Sequence, residues 1–156
     1  MVKISDIFKR DIRINNSEFN IDNVYKKTKI RIESLGYIFL EKKQSLKPKK
    51  YGEEIIFDFD AFKIVDNFCR TQINIEANFN NLTRTKKGYY GDVIVTIKAK
   101  QELDYKNTWA TKKFNLLLFK IYLQMKRSEL KRKYTIPLWM DAENLYNYLK
   151  ELFELS

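Results

Sequence analysis

The clearest pattern along the chain is strict alternation. Between Cys69 and Phe79, Ile73, Ile75, Ala77 and Phe79 fall on one side while Arg70, Gln72, Asn74, Glu76 and Asn78 fall on the other. That period of two marks a strand with one dry face and one wet face. Val93, Val95, Ile97 and Ala99 oppose Asp92, Thr96, Lys98 and Lys100 in the same way, so the two runs read as an antiparallel hairpin. Looser alternation predicts strands over residues 6–14, 37–43 and 53–60, the last with Ile55, Phe57 and Phe59 on one face. Asn15, Asn16 and Ser17 should end the first strand, and Asp66-Asn67 supplies the only turn chemistry after the third.

Elsewhere the period changes. Ile21, Val24, Tyr25, Thr28, Ile32 and Leu35 recur at helical spacing. Asn20 or Asp22 can cap the start, and Gly36 can take the left-handed conformation after the last turn, so a helix is predicted over 21–34. Phe114, Leu117, Leu118, Ile121, Tyr122 and Met125 form a second, broader stripe that Leu116, Phe119 and Leu123 widen. Such a helix should be heavily buried against the sheet. Pro137 should interrupt the chain, and Asp141 should cap a final amphipathic helix carrying Leu145, Tyr148, Leu149, Leu152 and Phe153. The order β-α-β-β-β-β-α-α predicts an α+β fold, a mainly antiparallel curved sheet packed against a long buried helix in the C-terminal half. No repeat or linker divides residues 1–156, which read as one domain.

Composition narrows the chemistry. There is one cysteine and no histidine, which precludes an internal disulfide and removes the usual neutral-pH general base and the commonest metal ligand. Cys69 lies on the apolar face of its strand and reads as a buried thiol. Asp58 and Asp60 share a strand face and could hold a cation or form an acid/base pair, or simply belong to a wet face. Asp104, Tyr105 and Trp109 precede the long helix, where an Asp can cap and aromatics can pack. The reading is non-enzymatic, with no cofactor. No apolar run approaches the ~20 residues that span a bilayer, and the charged N-terminal segment carries no secretory signal, so a cytoplasmic protein with no membrane partner is expected.

Thirty basic residues against twenty acidic leave a net charge of +10. Lysine, isoleucine, asparagine, phenylalanine and tyrosine all use AT-rich codons, so genome composition alone would raise lysine, but it would do so evenly. Instead the excess is concentrated in three segments: Lys42, Lys43, Lys47, Lys49 and Lys50; Arg84, Lys86 and Lys87; and Lys126, Arg127, Lys131, Arg132 and Lys133. The remainder is slightly net acidic.

The predicted topology adds a geometric expectation. An antiparallel meander places alternate connections at opposite ends, so the Lys42–Lys50 and Arg84–Lys87 loops should share one end. A returning helix should bring Lys126–Lys133 to it as well. Asp58, Asp60, Asp66, Glu102 and Asp104 should gather at the other. A common cationic end would attract phosphate, and Tyr89 and Tyr90 beside it could stack on unpaired bases. The expected partner is therefore nucleic acid, RNA ahead of duplex DNA, contacted through its backbone. Two alternatives come from the same residues. One is docking of the basic end on an acidic protein. The other rests on the likeness of a sheet closing around a helix to the helix-grip architecture, whose interior, lined here by Phe57, Phe59, Phe79, Phe114 and Tyr122, could carry an apolar ligand.

The segments Phe19-Asn20-Ile21-Asp22, Leu35-Gly36-Tyr37, Val65-Asp66-Asn67-Phe68 and Leu103-Asp104-Tyr105 with Trp109 resemble a family of uncharacterised archaeal proteins over about Ile7 to Leu155. Phe68 stands where that pattern favours tyrosine. The resemblance implies no activity and transfers no catalytic residue.

Overall fold

A computed structural model describes residues 3–49, 52–107 and 113–154, without the side chains of 41–43, 47–49, 113 and 114. Five strands, β1 (Lys3–Phe19), β2 (Ile38–Lys49), β3 (Gly52–Ile64), β4 (Cys69–Arg84) and β5 (Tyr89–Leu103), form an antiparallel sheet in the order β1-β5-β4-β3-β2. Helix α1 (Ile21–Ser34) follows β1. After β5 come α2 (Lys113–Met125), a short α3 (Arg127–Leu130), a π-helical turn over Lys131–Thr135 and α4 (Ile136–Glu154). The α+β class, the antiparallel sheet and the element order agree with the alternation and helical spacing in the sequence.

Register defines two poles. Phe19 pairs with Tyr89, Arg84 with Tyr89 and Lys49 with Gly52 at one, termed here the hairpin pole. Lys3 and Cys69 pair with Leu103, and Ile38 with Phe62, at the other. Helix α1 leaves the hairpin pole behind an Asn20 cap, whose Oδ1 accepts from Asn23 N at 3.1 Å. It ends at Gly36, with φ +90.

The dry face of the sheet receives α1 and α4 side by side. Ile73, Ile75, Phe79, Val93, Val95 and Ile97 meet Leu138, Ala142, Leu145, Leu149 and Phe153 in one core. Phe153 packs edge-on to Phe19 near the hairpin pole, and Trp139 packs on Phe8, so α4 crosses the sheet toward that pole. Arg31 Nε donates to Asn144 Oδ1 at 3.1 Å between the two helices.

Several expectations require correction. The predicted strands were too short: β1 continues to Phe19 through a register shift after Ile14, with Asn16 at φ 53. Gln44–Lys49 is strand rather than loop, and the Asn80–Gly91 loop reduces to Thr85–Gly88. Polar residues at these ends are paired across the sheet, which alternation cannot register. Helix α2 does not cover the sheet: Phe119 is buried, but Leu117, Leu118, Ile121 and Met125 are exposed. The sheet has one dry face and α1 and α4 already occupy it. Pro137 does not end the helix: the chain stays helical from Arg127 to Glu154, and only the turn over Lys131–Thr135, directly ahead of the proline, departs to π geometry. Asp141 therefore lies inside α4, where it accepts from Tyr37 Oη at 3.0 Å.

Candidate nucleic-acid interface

At the hairpin pole the β4–β5 connection closes in four residues. Thr85 N donates to Gly88 O at 2.8 Å and Gly88 N to Thr85 Oγ1 at 3.1 Å, which leaves Lys86 and Lys87 exposed at the tip. Thr85 Oγ1 also bonds Glu18 Oε1 at 3.1 Å, tying the turn to the end of β1. Gly88 is needed for this approach. A Cβ there would lie 2.3 Å from Phe19 O.

The turn and the start of α1 together frame a cavity of about 510 Å³. Ile21, Ile55, Phe57 and Tyr89 supply its apolar lining, and Asn20, Asp22, Gln44, Lys86 and Lys87 its polar rim. Ser45 also lines it, and among the described residues its buried hydroxyl finds no hydrogen-bond partner. A second cavity, of about 480 Å³, is lined by Glu18, Phe19, Asn20, Asn23 and Lys87. Asn20 and Lys87 belong to both, so the two cavities adjoin around the N-terminus of α1. Asn20 was legible as a helix cap. Gln44, Ser45 and Thr85 carry no such signal, because the sequence around each has the composition of a loop.

The structure separates the predicted site residues. Lys43 pairs with Asp58 in mid-strand, and Lys42 precedes it, so neither backbone position reaches the tip. Lys47 and Lys49 pair with Glu54 and Gly52 near the hairpin pole, while Lys50 lies outside the described residues. Arg84 Nη2 stands 3.4 Å from Glu53 Oε1. Tyr89 is half-buried at the cavity, and Tyr90 is exposed. The cluster from Lys126 to Lys133 is not with them. It lies at the opposite pole, where Leu130 and Tyr134 pack with Cys69 and Leu103. The expected convergence of three clusters therefore fails: α4, and not the preceding helix, makes the return journey, so the basic segment ahead of it stays beside the end of β5.

The expected acidic end divides as well. Asp58 and Asp60 sit on the wet face, both accepting from Asn74 Nδ2, at 2.8 and 2.7 Å. Asp66 is at the opposite pole among the basic residues. It accepts from Tyr134 Oη at 2.6 Å, from the backbone N–H of Phe68 and Cys69, and faces Lys133 Nζ at 3.3 Å. Burial alone would raise its pKa, but these donors outweigh it and hold the carboxyl below its ordinary value. Burial and the bond to Asp66 push the Tyr134 phenol up. Buried Cys69 is pushed up to about 12 by desolvation and by nearby Asp66 and Glu102, so its thiol is protonated at neutral pH. Asp104, φ 56, belongs to the turn after β5, where its N–H donates to Phe68 O at 2.7 Å, and not to a helix cap. Trp109 lies outside the described residues.

Of the rings expected to line an apolar interior, three pack on one another, and Phe57 also borders the cavity of about 510 Å³. Phe57 stacks on Phe59 with centroids 5.6 Å apart, and Phe79 meets Phe57 at 5.9 Å and Phe19 at 5.7 Å. Tyr122 packs instead on Phe68 at the opposite pole, and the Phe114 side chain lies outside the described set. No protein-family model matches the chain, and no curated protein matches it.

Proposed function

We propose that this protein binds single-stranded nucleic acid, RNA ahead of DNA, at the hairpin pole, as a contact module without catalysis. The observation that carries this reading is the pair of cavities joined at Asn20 and Lys87. An extended strand needs a trough rather than a single pit, and each cavity lies within the size range of small-ligand sites. Lys86 and Lys87 supply phosphate contacts, with Lys47 and Lys49 on the neighbouring hairpin. Tyr89, half-buried at the cavity, offers apolar surface to a base. Ser45, Gln44 and Asp22 offer polar groups that a base edge or a 2′-hydroxyl could use, which favours RNA. The mutual packing of Phe57, Phe59 and Phe79 weighs against a helix-grip carrier enclosed between them.

The test is a salt-titrated anisotropy assay with a labelled short oligouridine. Binding that weakens steeply as salt rises supports the reading. No binding at low salt, or affinity indifferent to salt, overturns it.

A further inference from the structure

Gln101 breaks an apolar row. Val93, Val95, Ile97, Ala99 and Leu103 share the dry face of β5 with it, and burying an amide in such company is costly unless it is hydrogen-bonded. Gln101 is only 6 % exposed. Its Oε1 accepts from Thr135 Oγ1 at 2.8 Å, while its Nε2 has no acceptor among the described residues. The side chain forms part of the wall of a cavity of about 220 Å³ at the pole opposite Lys86 and Lys87, which Lys3, Arg127 and Lys131 also line.

Two features bring the cations there. Lys3 pairs with Leu103 across β1 and β5, which fixes its backbone beside the cavity. Arg127, Lys131 and Thr135 are spaced four apart, and in an unbroken α-helix each such step drifts about 40° around the axis. The π turn over Lys131–Thr135, closed by Ile136 N donating to Lys131 O, is wider and reverses the drift in the second step. All three side chains therefore border one cavity. Their charge is not neutralised locally. Lys126 is held by Glu129 at 3.3 Å, Lys133 by Asp66 at 3.3 Å and Arg70 by Glu102. Lys3, Arg127 and Lys131 have no carboxylate partner among the described residues.

We propose that this cavity binds the phosphoryl group of a small, soluble phosphate monoester. Three cations match the doubly charged phosphate of a monoester better than the singly charged phosphate of a diester. The Arg127 guanidinium presents a fork suited to two phosphate oxygens, Lys3 and Lys131 act as point charges, and Gln101 Nε2 adds a neutral donor. The volume falls below the ~300 Å³ of ordinary small-molecule sites, which suits a phosphate with a short organic remainder against Leu123 and Leu130. The site stands apart from the hairpin pole and does not depend on nucleic acid binding there.

The experiment is isothermal titration calorimetry of the full chain with inorganic phosphate and with glycerol phosphate, in a low-salt chloride buffer. Saturable binding of both is expected, strengthening from about pH 5.5 to about pH 7.5 as the phosphate takes its second charge. The chain has no histidine, so that titration belongs to the ligand. Arg127→Ala and Lys131→Ala should each weaken binding about tenfold, the scale of one charge-assisted hydrogen bond. Both residues are exposed, so both variants should fold. Gln101→Glu keeps the shape of the side chain but sets a carboxylate among the cations, and should abolish binding in a protein that thermal unfolding shows to be intact. Lys86→Ala, at the other pole, should leave phosphate binding unchanged, which keeps this proposal separable from the nucleic-acid reading. No saturable binding of either probe at low salt overturns the proposal. So does binding that survives Arg127→Ala and Lys131→Ala together, or phosphate held no more tightly than chloride, which would mark an adventitious ion only. Inorganic phosphate bound without glycerol phosphate would restrict the cavity to the free ion and overturn the monoester assignment. Oligouridine binding lost in Arg127→Ala and Lys131→Ala, with neither small probe bound, would assign the cavity to a polynucleotide backbone and equally overturn it.

Discussion

Tyr134 Oη donates to Asp66 Oδ2 at 2.6 Å across 68 positions of sequence, and this bond ties the π-helical turn to the β3–β4 connection. Lys133 closes on the same carboxylate from the side. The third basic cluster is thereby held at the pole opposite Lys86 and Lys87, and the cationic surface of the protein is split in two.

Removing that carboxylate should loosen the C-terminal helices from the sheet. Asp66→Asn is expected to cost about 2 kcal/mol, the scale of lost charge-assisted hydrogen bonds. Urea denaturation measures it. Because the folded pKa of Asp66 is depressed, its contribution is fully present above the unfolded value and drains away as pH falls through the folded one, so wild type should lose stability below about pH 4. The variant should show a flatter acid limb.

The phenol has the opposite sign. Tyr134 and Tyr37 are both raised, chiefly by burial, so the stability they confer is intact below the unfolded value and declines as pH rises above about 10. Tyr134→Phe should shallow this alkaline limb without removing it, since Tyr37 remains. Denaturation midpoints between neutral and alkaline pH test the point.

Lys86→Ala with Lys87→Ala should weaken oligouridine binding and reduce the slope of log affinity against log salt by about 1.4, two phosphate contacts at ~0.7 each. Arg132→Ala, at the other pole, should change neither quantity.

Gly88→Ala should be more harmful than Gly36→Ala. The first sets a Cβ 2.3 Å from the Phe19 carbonyl oxygen, while the second meets only the flexible end of Lys63, at 3.3 Å, with the strain of φ +90. Losses of roughly 3 kcal/mol and about 1 kcal/mol are expected, readable by thermal unfolding.

The two C-terminal helices differ in what they contribute to the core. Leu145→Ala in α4 should cost about 2–5 kcal/mol, whereas Leu118→Ala in α2 should stay within about 0.5 kcal/mol. Comparable losses would contradict the burial of one and the exposure of the other.

Much of this organisation is legible residue by residue. The alternation from Ile73 to Phe79 and from Val93 to Ala99 names the buried face correctly. Asn20 and Gly36 bracket α1 where the cap chemistry puts them. Gln44–Lys49 reads as a loop in the sequence because its lysines and proline resemble one, while an edge strand tolerates both. Ser45 is not legible, because what marks it is a buried hydroxyl without a partner among the described residues, which depends on neighbours from β3 and the β4–β5 turn.

The sequence by itself determined the element order, the dry face of the sheet and the limits of α1, since each follows from spacing and capping within a few turns of chain. Only the tertiary structure decided which C-terminal helix covers the sheet and which pole holds Lys126–Lys133. The reason is that periodicity records that a face is apolar, not which face wins the limited area available. Two helices carried a stripe suited to the sheet, α4 fills the space, and α2 with its lysines is left at the far pole.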